Sequence, residues 1–144
     1  MNSPQQKVEQ LLSQFAGIED WEVRYKKIID MGKSLEPMDE SLKTESNKVK
    51  GCQSQVWLHG SLDEGKVVFQ ADSDAAIVKG IIALLLKIYS HSTPEQILGF
   101  KADFIEELGL KQHLSMNRTN GLAAMLKQIQ IYAFAFQTMM ANKK

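Results

Sequence analysis

Residues 66–89 read KVVFQADSDAAIVKGIIALLLKIY, and this stretch decides the fold. Its first residues are rich in β-formers and predict a strand. The residues that follow, to about Tyr89, predict a helix that is apolar almost all round, a pattern typical of a buried central helix. Asp72 or Ser73 is expected to cap this helix, and Asp74 suits the positive end of its dipole. A strand that leads directly into a buried helix is therefore the centre of the predicted structure.

Two extended pieces precede this strand. Residues 46–50 and 53–59 are predicted as strands, and residues 60–65 as the turn region that leads into the strand at 66–71. Strands this close in sequence are expected to pair as an antiparallel meander. The predicted fold class is therefore α+β, with a small three-stranded antiparallel sheet packed against several helices in one compact domain over residues 1–144.

Helical patterns flank the predicted sheet on both sides. A first helix ends at Gly17, and a second runs from about Asp20 to Met31 with Gly32 as its stop. Ser115 can cap a last long helix. The predicted apolar stripe of that helix consists of Leu122, Met125, Leu126, Ile129, Tyr132, Ala133, Phe136 and Met140.

Composition excludes several classes of function. The 144 residues carry seventeen basic and seventeen acidic side chains, so the formal net charge of zero does not suggest a nucleic-acid partner. The N-terminus lacks the apolar stretch of a signal peptide. Residues 75–89 are too short to span a bilayer, and lysines interrupt them. We expect a cytoplasmic protein with no membrane partner, whose core is large enough for a monomer.

The chain has one cysteine, Cys52, in the stretch VKGCQSQVW at residues 49–57. A lone cysteine cannot close an internal disulfide or supply a cysteine-rich metal site. It is either a small hydrophobic filler or a reactive thiol that exchanges something with another molecule. Its predicted position on a tight turn and the nearby Lys48 and Lys50 favour the reactive thiol, because cations lower the pKa of a thiol. Gly51 would allow backbone angles that a side chain forbids.

Residues 51–57, GCQSQVW, resemble the cysteine-loop signature of the SufE family of sulfur acceptors. The resemblance continues in order over roughly residues 8–140. Its further segments are YKKIIDMGK at 25–33, ADSDAAIVKG at 71–80, Thr93-Pro94, LGLKQHLS at 108–115 and RTNGL at 118–122.

The resemblance implies that Cys52 carries sulfur as a persulfide. Members of the family accept sulfane sulfur from a pyridoxal-phosphate cysteine desulfurase, SufS-like or CsdA-like, and stimulate that enzyme. They pass the sulfur to an iron–sulfur cluster scaffold complex. The resemblance therefore implies a covalent carrier and activator rather than an enzyme, with no cofactor or metal of its own.

Six residues are expected to support the loop or contact the partner, namely Gly51, Gln53, Ser54, Asp74, Arg118 and His113. Gln53 and Ser54 either hydrogen-bond the loop backbone or only supply the polarity of a turn. Arg118 matches a family arginine and is expected to support the thiolate or hold the loop, with a surface ion pair as the alternative. Asp74 holds the loop, faces the partner, or is only a charge at a helix start. His113 matches a family histidine, yet it is a weak general-base candidate without known geometry. Trp57 is predicted to lie in the core.

Other functions remain open at this stage. A CsdE-type paralogue would serve a different desulfurase and a different acceptor. A one-cysteine thiol peroxidase would use the same lone thiol without a desulfurase. A cluster scaffold needs more soft ligands than one cysteine provides. A structural adaptor would activate the desulfurase without carrying sulfur.

Overall fold

A computed structural model of the chain describes residues 3–51 and 54–142. The protein is a single compact α+β domain in which helices pack on an antiparallel hairpin. The strands are β1 Val56–Asp63 and β2 Lys66–Ser73. The helices are α1 Pro4–Phe15, α2 Trp21–Lys33, α3 Ala76–Tyr89, α4 Pro94–Leu98, α5 Phe104–Glu107, α6 Leu110–His113 and α7 Met116–Asn142, with 3₁₀ turns at Glu40–Leu42 and Glu45–Asn47.

The sheet has two strands in the described residues, so the prediction of a third strand at residues 46–50 is wrong. Lys48 forms only an isolated bridge to Trp57, and the Val49 N–H donates one hydrogen bond to the Val56 carbonyl at 2.8 Å. Residues before Lys48 form a 3₁₀ turn instead, and the Asn47 side-chain amide donates to the Leu42 carbonyl at 2.8 Å. Such local hydrogen bonds compete with strand pairing.

The hairpin turn is tighter than the sequence predicts. Strand β1 continues through Gly60 to Asp63, and the chain reverses at Glu64 and Gly65, whose φ angles of 49° and 80° are both left-handed. Two consecutive left-handed residues are typical of a two-residue hairpin turn. Gly60 lies inside the strand for a packing reason, since a Cβ there would be 2.9 Å from the Tyr132 ring on α7.

Helix α3 is buried at the centre of the domain, as predicted, but Gly32 does not stop α2. A Cβ on Gly32 would lie 2.7 Å from the Gly80 backbone nitrogen, and a Cβ on Gly80 would lie 2.7 Å from the Ile28 carbonyl carbon. The two glycines therefore let α2 and α3 cross with their backbones almost in contact. This crossing fixes the position of α3, the helix that follows β2.

The expected cap of α3 is also wrong. Asp72 and Ser73 are the last residues of β2, and the N-cap position is Ala75, which has no side chain able to cap. Ser115 does cap α7, because its hydroxyl accepts a hydrogen bond from the Arg118 N–H at 3.3 Å. Within the described ranges, no helix is long and apolar enough to cross a membrane.

Candidate functional site

The site lies where the chain turns between the 3₁₀ segment and β1. Cys52 and Gln53 lie outside the described residues, so the predictions for both rest on sequence. The structure describes the chain up to Gly51 on one side and from Ser54 on the other. The site is therefore defined by the residues that hold these two ends.

The incoming end of the cysteine loop (residues 51–55) rests against α7. Gly51 has a φ of +93°, a left-handed angle that side chains rarely adopt, which confirms the expected need for glycine. A Cβ at this position would be 3.6 Å from the Cβ of Ala124. Val49, two residues earlier, is buried and anchors the segment in the core. Gly51 therefore lies beside α7, two residues after a segment that is held in the core.

The outgoing end of the loop is held by Asp74. The Gln55 N–H donates to a carboxylate oxygen of Asp74 at 3.0 Å, and the Asp74 N–H donates to the Gln55 carbonyl at 3.3 Å. Asp74 directly follows β2, and Gln55 directly precedes β1. The chain that leaves β2 therefore holds the residue that enters its partner strand β1. Ser54 is half-buried between this anchor and Cys52. Of the expected roles of Asp74, which were to hold the loop, to face the partner or to be only a charge at a helix start, the structure shows the contact with the loop.

Asp72, expected from the sequence only as a helix cap, instead pairs with two lysines beside β1. Asp72 contacts the Lys43 ammonium at 2.9 Å and the Lys79 ammonium at 3.4 Å. Partial burial raises the pKa of Asp72, but hydrogen bonds from Lys43 and from the Ser73 N–H, together with the charge of Lys79, outweigh burial and hold that pKa below its usual value. The hydrogen bonds to Asp72 and then to Glu40 raise the pKa of Lys43.

Trp57 lies beside this ion cluster. The side chain is half-buried rather than part of the core, so that prediction is wrong. Val56 and Leu58 take the core-facing positions of β1, and alternation places Trp57 on the other face. The Lys43 ammonium lies 5.7 Å from the centre of the indole ring. Asp72 pairs with Trp57 across the hairpin, a signal that correct strand register would have given.

Arg118 and His113 are placed by different elements. Arg118 is exposed in the first turn of α7, about two helical turns before Ala124, where Gly51 rests. His113 ends α6 and stacks on the Trp21 ring of α2, with centroids 3.9 Å apart and planes 13° apart. The Tyr25 hydroxyl donates to the His113 carbonyl. The structure therefore places Arg118 on the helix that supports the loop and His113 against α2.

A groove of about 400 Å³ runs between α7 and residues 45–50, which directly precede Gly51 in sequence. Lys48, Lys50 and Lys127 line it together with a single acidic residue, Glu45. Lys127 was not singled out by sequence, because nothing local relates it to a loop more than seventy residues earlier. The groove carries net positive charge, which favours thiolate or persulfide anions and acidic surfaces.

Comparisons with known proteins point to one family. The family model for the SufE domain, described as an Fe-S metabolism associated domain, matches residues 9–133. An uncharacterised SufE-like protein of Synechocystis sp. is 42% identical over 127 residues, covering 88% of this chain and 80% of the relative. A SufE-like protein of Rhizobium meliloti, also uncharacterised, is 39% identical over 128 residues, covering 85% of this chain and 91% of the relative.

The fold has also been seen in a solved structure. A hypothetical protein of Thermus thermophilus, determined in solution, superposes with a TM-score of 0.77 at 25% identity, covering 96% of this chain and 99% of the other. The family model spans the cysteine loop, Asp74 and Arg118 together, and both relatives cover most of the chain. The chain belongs to the SufE family, whose domain is associated with iron–sulfur metabolism.

Proposed function

We propose that the chain is a sulfur carrier that accepts persulfide sulfur on Cys52 from a pyridoxal-phosphate cysteine desulfurase. The Cys52 thiolate attacks the outer sulfur of the donor persulfide. A sulfur–sulfur bond to Cys52 forms as the donor's sulfur–sulfur bond breaks, and the desulfurase cysteine leaves as a thiolate. Unloading the donor frees its cysteine for another cycle, which accounts for stimulation of the desulfurase.

The observation that carries this proposal is the anchoring of a one-cysteine loop at both ends. Val49 is buried and its N–H donates to the Val56 carbonyl at 2.8 Å, and the Gln55 N–H donates to Asp74 at 3.0 Å. Only residues 50–54 lie between Val49 and Gln55, so both supports are close to Cys52 in sequence. Supports this near a reactive group favour in-line attack on a partner, because orientation of the reacting groups lowers the barrier.

Two further features suit a carrier. Lysines beside the loop favour the thiolate that must attack and the persulfide anion that results. With a single cysteine in the sequence, the persulfide cannot be resolved by a second thiol of the same chain into a disulfide. The sulfur then leaves only to another molecule, which we propose to be the iron–sulfur cluster scaffold complex.

The test is an intact-mass measurement in reductant-free buffer with the cognate desulfurase and cysteine. The wild type is expected to gain the mass of one sulfur atom and to raise desulfurase turnover, and Cys52→Ser is expected to do neither. A Cys52→Ser variant that stimulates fully would indicate an adaptor that carries no sulfur. Consumption of peroxide by the chain with a reductant, and without a desulfurase, would indicate the thiol peroxidase instead.

A further inference from the structure

Helix α7 carries an apolar surface on the side that faces away from the core. Between residues 119 and 142 the only charged side chain is Lys127, whereas a surface helix normally has charges on its solvent side. Ile131 is 50% exposed and Phe134 is 64% exposed. We call Ala123, Lys127, Ile131, Phe134 and Thr138 the outer face of α7; all five are exposed.

The outer face is opposite to the side that α7 buries. Met125, Ile129 and Ala133 are buried, and helical geometry places Ile131 and Phe134 on the opposite side of the same helix. The two exposed side chains therefore cannot be explained as part of the core. Their closeness in space, three residues apart on a helix, makes a contiguous patch.

The outer face is continuous with the cysteine loop. Ala124, against which Gly51 rests, lines the same groove as Lys127 and Ile131. Phe134 lies ten residues beyond Ala124, about 15 Å along the helix axis. The apolar patch thus begins at the support of the loop and extends away from it along one rigid element.

A protein that delivers sulfur to position 52 must cover the surface around that position. Stable interfaces bury about 800 Å² on each partner, which corresponds to a patch about 16 Å in radius. A patch of that size centred near Gly51 includes the groove and reaches Ile131 and Phe134. The donor would therefore bury the outer face while it reaches the thiol.

We infer that Ile131 and Phe134 are the apolar anchors by which the sulfur-donating cysteine desulfurase docks, and that its facing surface has an apolar pocket edged by acidic side chains. This inference rests on the proposed function, which makes a desulfurase the donor. The acidic edge is complementary to Lys48, Lys50 and Lys127 beside the patch. Aromatic side chains such as Phe134 are enriched in protein interfaces relative to the rest of the surface.

A second copy of the chain fits this surface less well. A two-fold dimer pairs the same patch on both subunits, so the lysine-lined groove of one copy would face that of the other. Like charges brought together in an interface cost several kcal/mol.

The proposed anchors, Ile131 and Phe134, belong to α7, whereas Cys52 belongs to the loop. Binding of the desulfurase and transfer of sulfur therefore depend on different parts of the chain.

The experiment measures the Kd of the chain for its cognate desulfurase by calorimetry, in a Cys52→Ser background that prevents covalent exchange. The combined Ile131→Ala and Phe134→Ala variant should raise the Kd about tenfold, equivalent to about 1.4 kcal/mol. Val23→Ala is the matched control, because Val23 is an aliphatic side chain 49% exposed on α2, and its Kd should stay within about twofold. With Cys52 present and saturating desulfurase, the double variant should still accept one sulfur.

The outcomes separate the inference from the proposed function. A double variant that binds like the control overturns the docking face, while sulfur gain by the wild type leaves the carrier intact. Weakened binding by the double variant without sulfur gain by the wild type supports the docking face and overturns the carrier. A wild type that does not bind the desulfurase overturns both. A wild-type dimer that the double variant converts to monomer, at unchanged desulfurase affinity, overturns the inference in favour of a second copy.

Discussion

Replacing Gly80 with alanine tests the close packing of α3 against α2, which positions the helix that follows β2. In an isolated helix this change is favourable by about 1 kcal/mol, because alanine is the better helix former. In this structure the new Cβ would lie 2.7 Å from the carbonyl carbon of Ile28 in α2. That atom belongs to the backbone, so no side-chain rotation relieves the overlap, and the clash is expected to outweigh the gain.

The size of the effect follows from the separation that the helices need. The Ile28 carbonyl oxygen would lie even closer to the new Cβ than the carbonyl carbon does, so α2 and α3 must move apart by at least roughly 0.7 Å to reach an ordinary contact of 3.4 Å. A gap of 0.5–1 Å forfeits roughly a quarter to a half of the dispersion attraction between the atoms concerned. We expect a net loss of about 3 kcal/mol in the free energy of unfolding and a fall in Tm of about 10 °C for a domain of this length.

Urea unfolding followed by circular dichroism measures this change, with Gly99→Ala as the matched control. Gly99 ends α4 with an ordinary φ of −86°, and a Cβ there would be 3.3 Å from the Glu95 carbonyl oxygen. The control should change the free energy of unfolding by less than about 1 kcal/mol. A Gly80→Ala variant as stable as the wild type, or more stable, would mean that helix propensity wins and that the close crossing is not a constraint.

Three further predictions concern the loop and its supports. Gly51→Ala should lower sulfur acceptance several-fold and stability by about 1 kcal/mol, because the left-handed φ becomes strained; an unchanged loading rate would contradict this. Asp74→Ala should slow sulfur loading while Asp74→Asn, which keeps an acceptor for the Gln55 N–H, should slow it less; equal rates would remove the role of that hydrogen bond. The folded-state pKa of Asp72 is depressed, so its stabilisation is present above pH about 4 and lost as the pH falls through the folded pKa. The difference in unfolding free energy between wild type and Asp72→Asn should therefore shrink from pH 7 to pH 3, and a constant difference would refute it.

Much of the fold could be predicted because its centre has a strong local pattern. The apolar run after β2 specifies a buried helix whatever surrounds it, and α3 is one. Three of the wrong predictions concern Gly32, Gly60 and the segment before Lys48. Gly32 and Gly60 appear in sequence as stop and turn signals, but each is required because another element approaches closely. That information lies in tertiary packing and has no local signature.

Residues of the candidate site could be predicted only where they lie in a recognisable motif or next to one in sequence. Cys52, Gly51 and Asp74 lie in segments that resemble the family, and the structure places Gly51 and Asp74 at the two ends of the loop. Asp72 was assigned to a helix cap because its partner Lys43 is distant in sequence and lies in a polar stretch without periodicity. The sequence does not mark the outer face of α7 as exposed, because the helix is almost uncharged all round between residues 119 and 142.

Single-turnover transfer of labelled sulfur tests the central claim most directly. The cognate desulfurase is charged with sulfur-labelled cysteine, freed of excess cysteine, and mixed with an equal amount of the chain. The account predicts that the label leaves the desulfurase and appears as one sulfur on the peptide that contains Cys52. Label that stays on the desulfurase, or that reaches a Cys52→Ser chain equally well, would contradict it.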